Sequence, residues 1–200
     1  LQVLDPSITI LFQIELELVP PADPIKFALI NVIPKPLSAH LDGNYEGPLI
    51  DAHSHISRGD SPNELISRLR NTGVDGVVLF GPRDLLIAAQ QQNPDFVFPF
   101  VQLSRNPATS ALLLNDESVS LLQQLLNTGV FRGIGELALR HRPFPFSPPD
   151  GDNNPADGPI LLQIYDLAAS FLVPVNVHVE HEFSAELERA LAQNREAKII

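Results

Sequence analysis

The sequence predicts an α/β protein built as a (β/α)8 TIM barrel, of which about the first five and a half βα units are present, preceded by an N-terminal β appendage. Two observations carry that expectation. Between Gly76 and Ile200, short β-branched or aromatic runs alternate with amphipathic stretches ending in Asn or Gly, the pattern of βα units repeated around a parallel sheet. No Gly-rich phosphate turn comes after the first strand, which counts against an open doubly wound sheet, the rival way to arrange the same units.

The first 48 residues stand apart as an arm or appendage. Ile8, Ile10, Phe12, Ile14, Leu16 and Leu18 alternate with Thr9, Gln13, Glu15 and Glu17, as on a half-buried strand, and Pro20, Pro21, Pro24, Pro34 and Pro36 interrupt the rest of the segment. Residues 49–200 then read as a partial barrel. Leu49–His55 is the first strand. Ser61-Pro62-Asn63-Glu64 is a capping box with Pro at the first helical position, and the helix it opens runs through Leu65, Ile66 and Leu69 to a stop at Asn71-Thr72-Gly73. Gly76–Phe80 is the second strand, Pro82 to about Gln92 the second helix, and Phe96–Leu103 the third strand. A helix over Ser118–Leu126 places Leu121, Leu122, Leu125 and Leu126 on one face and ends at Asn127-Thr128-Gly129, the same tripeptide as before. Phe131–Leu139 is strand four, Ile160–Phe171 helix four, Val173–Glu180 strand five and Ser184 to about Ala197 helix five; Lys198-Ile199-Ile200 opens a sixth strand. Between strand four and helix four, Pro143–Gly158 is too long for an ordinary connection and is expected to overhang the strand ends as a mobile lid. A closed barrel takes about 250 residues, so these 200 are not expected to close one alone. The absence of Met, Cys and Trp together points the same way, to a processed, truncated or incomplete chain.

Charge and composition exclude several functions. Lys plus Arg number 13 against 24 Asp plus Glu, a net charge of -11, which opposes a broad phosphate-binding surface and hence a nucleic-acid partner. The chain is 44% hydrophobic and 18% charged, enough to build a core, yet it has no apolar run near the roughly 18 residues of a membrane span. Without cysteine there is no disulfide, thiol nucleophile or Cys-ligated zinc, so a metal must sit on His and carboxylate. None of this fixes the compartment, cytoplasm or periplasm, or decides whether the chain forms a homo-oligomer.

Period-two alternation puts Asp51, His53 and His55 on one face of strand one, at the end of a barrel strand where active sites are built. Two imidazoles side by side are costly to bury unless a divalent cation uses their lone pairs; a surface pair after a strand is the alternative. Strand five repeats the pattern with Asn176, His178 and Glu180 on one face, and His178 reads as a ligand or as a hydrogen-bonded core histidine. His181, in the opposite phase, reads as loop. In strand four, Gly133 and Gly135 leave room beside Glu136, which could bridge two metals, act as general base, or pair with Arg140 or His141. Arg140, His141 and Arg142 open the long loop, either to hold a substrate carboxylate or as a solvated basic turn.

Pro48-Leu-Ile-Asp51-Ala-His53-Ser-His55 resembles the D-x-H-x-H signature that opens the amidohydrolase superfamily, and Val175-Asn-Val-His178 resembles its strand-five histidine. Gly133-Ile-Gly-Glu136 is similar to the strand-four Glu segment of the TatD-like branch. The resemblance covers about residues 46–200. It implies a metal-dependent hydrolase whose one or two divalent ions, zinc foremost, activate a water against a carbonyl or phosphoryl centre. The implied metal ligands are His53, His55, His178 and Glu136; the implied catalytic residues are Glu136 and Asp51, with Arg140 and His141 toward substrate. The family's strand-six His and strand-eight Asp have no counterpart within these 200 residues. The expected function is hydrolysis of an amide, ester or lactone of a small molecule; a lytic decarboxylase of the same superfamily, a TatD-like nuclease and a non-catalytic barrel-derived binding protein are the alternatives.

Overall fold

The computed structural model describes residues 47–143 and 148–200. The expected N-terminal arm therefore lies outside the described residues, apart from its last two positions, as do residues 144–147 of the long loop. From Ile50 onward the elements are β1 (Ile50–His55), α1 (Pro62–Asn71), β2 (Gly76–Phe80), α2 (Arg83–Gln92), β3 (Val97–Val101), α3 (Asp116–Asn127), β4 (Gly133–Ala138), β5 (Arg140–His141), β6 (Asp152–Asn153), α4 (Pro159–Ser170), β7 (Pro174–His178), a 3-10 turn (His181–Phe183), α5 (Ser184–Gln193) and β8 (Lys198–Ile199). No helix among the described residues is long and apolar enough to cross a membrane.

Side-chain chemistry sets the helix ends. Ser61 Oγ accepts from the Glu64 backbone N–H at the start of α1, and Asn115 Oδ1 accepts from Ser118 N–H at 2.9 Å to open α3. Because Asn115 is the cap, α3 begins two residues before the expected Ser118, and Asp116 and Glu117 sit in its first turn against the positive end of the helix dipole. The two Asn-Thr-Gly stops work alike. Thr72 Oγ1 donates to Leu69 O at 2.7 Å, Thr128 Oγ1 donates to Leu125 O at 2.6 Å, and Gly73 and Gly129 come next with φ of +86° and +68°, where a side chain would be strained. α5 stops at Gln193, short of the expected Ala197, because Asn194 Oδ1 accepts from the backbone N–H groups of Glu196 and Ala197 and turns the chain into β8.

Six strands form one parallel sheet in the order β1-β2-β3-β4-β7-β8, each new strand laid beside the one before. An open doubly wound sheet reverses its strand order at a switch point; this sheet never does. The two faces confirm the difference. One face contributes Val77, Leu79, Val97, Val101, Ile134, Leu137 and Val175 to a single core that also holds apolar residues of all five helices. The other contributes Val78, Phe80 and Phe100, with Phe98 and Ile200 against them, and no helical residue belongs to that cluster. Helices on one face and aromatic side chains on the other make a half-barrel, curled with its helices outside.

Two of the strands depart from strict alternation. Along β1, Asp51 pairs with Val77 and Ser54 with Leu79, so β1 advances three residues while β2 advances two. Along β4, Ile134 pairs with Val175 and Leu137 with Val177, the same excess of one residue. Each is a β-bulge, which bends a strand and re-aims the side chains beyond it. Gly135 sits inside the second bulge at φ +128°, and a Cβ there would collide with the Asn176 carbonyl oxygen.

The long loop also departs from expectation. Its described half is tied down: Asp152–Asn153 pairs antiparallel with Arg140–His141, Asn154 N–H donates to Leu139 O at 3.0 Å, and Ala156 is fully buried. The side chain of Asp152 has no exposure and takes a two-pronged ion pair from Arg105, at 2.9 and 3.2 Å. A loop rich in Pro, Asp and Gly can still be anchored when one of its carboxylates is buried against a cation.

Candidate metal centre

The bulged part of β1 carries His53, and β1 ends on His55; the bulge in β4 carries Glu136; β7 ends on His178. Their reactive ends meet. His53 Nε2 and His55 Nε2 are 2.9 Å apart, and Glu136 Oε2 lies 3.6 Å from the first and 3.7 Å from the second. These donor atoms all fall within 4.8 Å of one another. The other oxygen of Glu136 accepts from His178 Nδ1 at 3.0 Å. A carboxylate oxygen can only accept, so His178 Nδ1 carries the hydrogen of this bond.

The donor set fits a divalent ion. Two imidazole nitrogens and a carboxylate oxygen are borderline donors of the kind zinc takes, and bonds of about 2.0–2.1 Å in a tetrahedron put neighbouring ligand atoms about 3.3 Å apart. The observed spacings of 2.9, 3.6 and 3.7 Å bracket that edge. The ring of His55 is half-buried, and burial holds its pKa below the ordinary 6.5, reinforced by neighbouring His53 and opposed by the Glu136 charge. A neutral imidazole is the form that gives its lone pair to a metal.

Phe80 makes the floor. The rings of His53 and His55 lie tilted on it with centroids at 4.7 and 5.3 Å, and Phe80 in turn stands edge-on to Phe100 at 5.5 Å. Phe80 is fully buried, so the imidazole pair rests on the top of the barrel's inner apolar layer. Nothing in the run Gly76–Phe80 distinguishes this Phe from its neighbours, and sequence reasoning missed it; the partnership of Arg105 with Asp152, 47 positions away, was missed for the same reason.

Asp51 does not join the cluster. Its Oδ1 accepts from His53 N–H at 3.0 Å and its Oδ2 from Ser54 Oγ at 2.8 Å, because the bulge breaks the alternation that would have put Asp51 in phase with the two histidines. Glu180 lies beyond β7, where Oε1 accepts from Arg142 N–H at 3.2 Å. Arg140 is committed elsewhere: Nε and Nη2 donate to the carboxylate of Glu186, Nη2 at 2.9 Å, and its guanidinium carbon lies 5.1 Å from the Phe183 ring centre. His141 does approach the site, its ring edge-on to His178 with centroids 3.9 Å apart. His181 is almost fully exposed and pairs with Glu182.

No protein-family model matches this chain, and no curated protein does. Solved structures do. The chain is similar to 4-oxalomesaconate hydratase from Rhodopseudomonas palustris, with 14% identity and a TM-score of 0.52 over 76% of this chain and 61% of that one. It is similar to 2,6-dihydroxybenzoate decarboxylase, with 12% identity and a TM-score of 0.54 over 76% and 65%. A Pseudomonas putida protein named for 2-pyrone-4,6-dicarboxylic acid hydrolysis gives 22% identity and 0.52 over 76% and 55%. This chain matches less than two thirds of the length of each of these three. Hydratase, decarboxylase and hydrolase alike are amidohydrolase-superfamily proteins, and the sheet with its five helices has the fold of part of such a (β/α)8 barrel.

Proposed function

We propose that this chain carries the metal-binding residues of a hydrolase that directs water at an amide, ester or lactone of a small molecule. The convergence of His53, His55 and Glu136, with His178 on the second oxygen of Glu136, carries the reading. A divalent ion held there, zinc in this proposal, polarises a substrate oxygen and lowers the pKa of water. The residues of the chain do the rest. His53 and His55 bring their Nε2 atoms to 2.9 Å from each other above the Phe80 ring. His178 Nδ1–H holds Glu136 Oε1, so Oε2 faces the imidazole pair and would join it in holding the ion. Asp51 braces the bulge that carries His53. His141 stands beside the site, whereas Arg140 commits its fork to Glu186, so recognition of a substrate carboxylate falls to groups other than Arg140.

A lytic decarboxylase is the second reading, supported by a fold likeness to a decarboxylase as good as that to a hydratase or hydrolase. Metal analysis of the purified protein, then a panel of esters, amides, lactones and aromatic acids, tests both. Stoichiometric zinc with hydrolytic turnover supports the first reading; carbon dioxide as product selects the second. A protein without bound metal under saturating zinc sinks both and leaves a binding or scaffolding role. Cleavage of nucleic acid is opposed by the net charge of -11.

A further inference from the structure

The proposed site depends on which way His178 faces, and β7 alone does not fix it, since His178 is the last residue of that strand and its side chain is about half exposed. A neighbour from outside the parallel sheet stands against it. The ring of His141 meets the ring of His178 at an interplanar angle of 88° and a centroid distance of 3.9 Å. His141 is itself held at both ends of its residue. Its Nδ1 donates to the Arg142 carbonyl at 2.6 Å, and its backbone lies in β5, paired in register with Asp152 of β6. Gly151, just before β6, presses so close to the His141 carbonyl that a Cβ would collide with it, and its φ of +82° is one that suits glycine.

Two-residue strands are too short to hold this position by backbone pairing alone. The anchor is the side chain of Asp152, without exposure, clamped by Arg105 from the segment after β3. Arg105 is held in its turn, with Nη1 donating to Ser110 O at 2.6 Å and its backbone bridging to Leu112. An ion pair with its carboxylate out of reach of water and both partners hydrogen-bonded is a rigid joint, because breaking it strands the Asp152 charge.

We infer that His141 is a positioning residue for the metal centre: its ring walls His178 and keeps Nδ1–H aimed at Glu136, and the Arg105–Asp152 pair is the strut that holds His141 in place. The inference rests on the proposed metal site. It gives the paired strands β5 and β6 a role in site geometry, and it gives His141 an action through His178, distinct from contact with substrate.

The test uses Co2+ alone as probe, on the full chain, reading affinity by titration and ligand geometry by the visible absorption of the bound ion. Wild type is compared with His53→Ala, His141→Leu, His141→Phe and Asp152→Asn. His141→Leu fills the space without an aromatic edge, and it should shift the band and weaken Co2+ about tenfold or more, the scale on which an outer contact acts on a metal ligand. His141→Phe keeps the ring and should retain the wild-type band, and Asp152→Asn should reproduce the shift of His141→Leu. A folded His141→Leu protein with the wild-type band and affinity overturns the inference while leaving the metal site standing, even if Asp152→Asn fails to fold. His141→Phe behaving like His141→Leu also overturns it, since the nitrogen and not the ring would then matter. Failure of wild type to bind Co2+, or undiminished binding by His53→Ala, overturns the metal reading and this inference together.

Discussion

The two faces of the sheet use the same strands for different ends. On the outer face Val77, Leu79, Val97 and Val101 pack under the helices and are buried to within 1%. On the inner face the same strands give Val78, Phe80 and Phe100, a smaller apolar layer capped at its C-terminal end by His53, His55 and Glu136. The outer face holds the fold together; the inner face ends in polar groups that rest on Phe80 and bond mainly to one another. Alternation along β2 and β3 keeps the faces distinct, while the bulges in β1 and β4 interrupt alternation where the site begins.

The largest difference between the two faces is chemical. His53→Ala or Glu136→Ala should reduce divalent-ion affinity by more than a hundredfold, beyond what loss of an outer contact costs, and leave the metal-free melting temperature within a few degrees of wild type. Isothermal titration with Zn2+ and a thermal melt in chelator read the two quantities. A large fall in metal-free stability would show that the polar cluster belongs to the core after all.

Phe80 belongs to both regions, and its loss should be felt in both. Phe80→Ala removes a fully buried ring from the inner layer and the platform from under two imidazoles, so stability should fall by about 3–5 kcal/mol and metal affinity should fall with it. Leu79→Ala, one residue earlier on the opposite face, should cost about 2–5 kcal/mol and leave the metal affinity of the folded fraction unchanged. Chemical denaturation and metal titration on the two variants separate the faces, and equal effects on metal would erase the distinction between them.

The elements were legible because their punctuation is local. Ser61-Pro62, Gly73 and Gly129 announce helix ends by chemistry that acts within four residues, and an imidazole in the apolar run Val173–His178 stands out as costly. His53, His55 and His178 were singled out on that ground and Glu136 by the glycines before it, and the structure brings the four side chains together. The bulges were not legible, since an extra residue in a strand leaves no mark on composition, and strict alternation therefore carried Asp51 onto the wrong face. Asp152 was equally hidden. An Asp among Pro, Gly and Asn looks like a turn residue until its partner is known, and that partner, Arg105, lies on another segment.

The smallest effect lies in the acid range and separates site from brace by pH. Bonds from the Arg140 guanidinium hold the Glu186 carboxyl below its ordinary 4.5, with burial opposing and the Ala156 backbone N–H assisting. A carboxylate whose folded pKa is depressed contributes stability that is present above the unfolded value and lost as pH falls through the folded one. Glu186→Gln should therefore be less stable than wild type by about 1 kcal/mol at pH 7, and the gap should close below pH 4.5. The same sign holds for His55 in a higher window. Its folded pKa lies below 6.5, so protons compete for its nitrogen only as pH drops under that value, and metal should be released there. Acidification should thus empty the metal centre before it loosens the Arg140–Glu186 brace. Urea melts of both proteins from pH 7 to pH 3, with zinc release monitored alongside by a chelating dye, give the order directly. A stability gap that closes before the metal leaves would mean that the brace and the centre titrate as one unit.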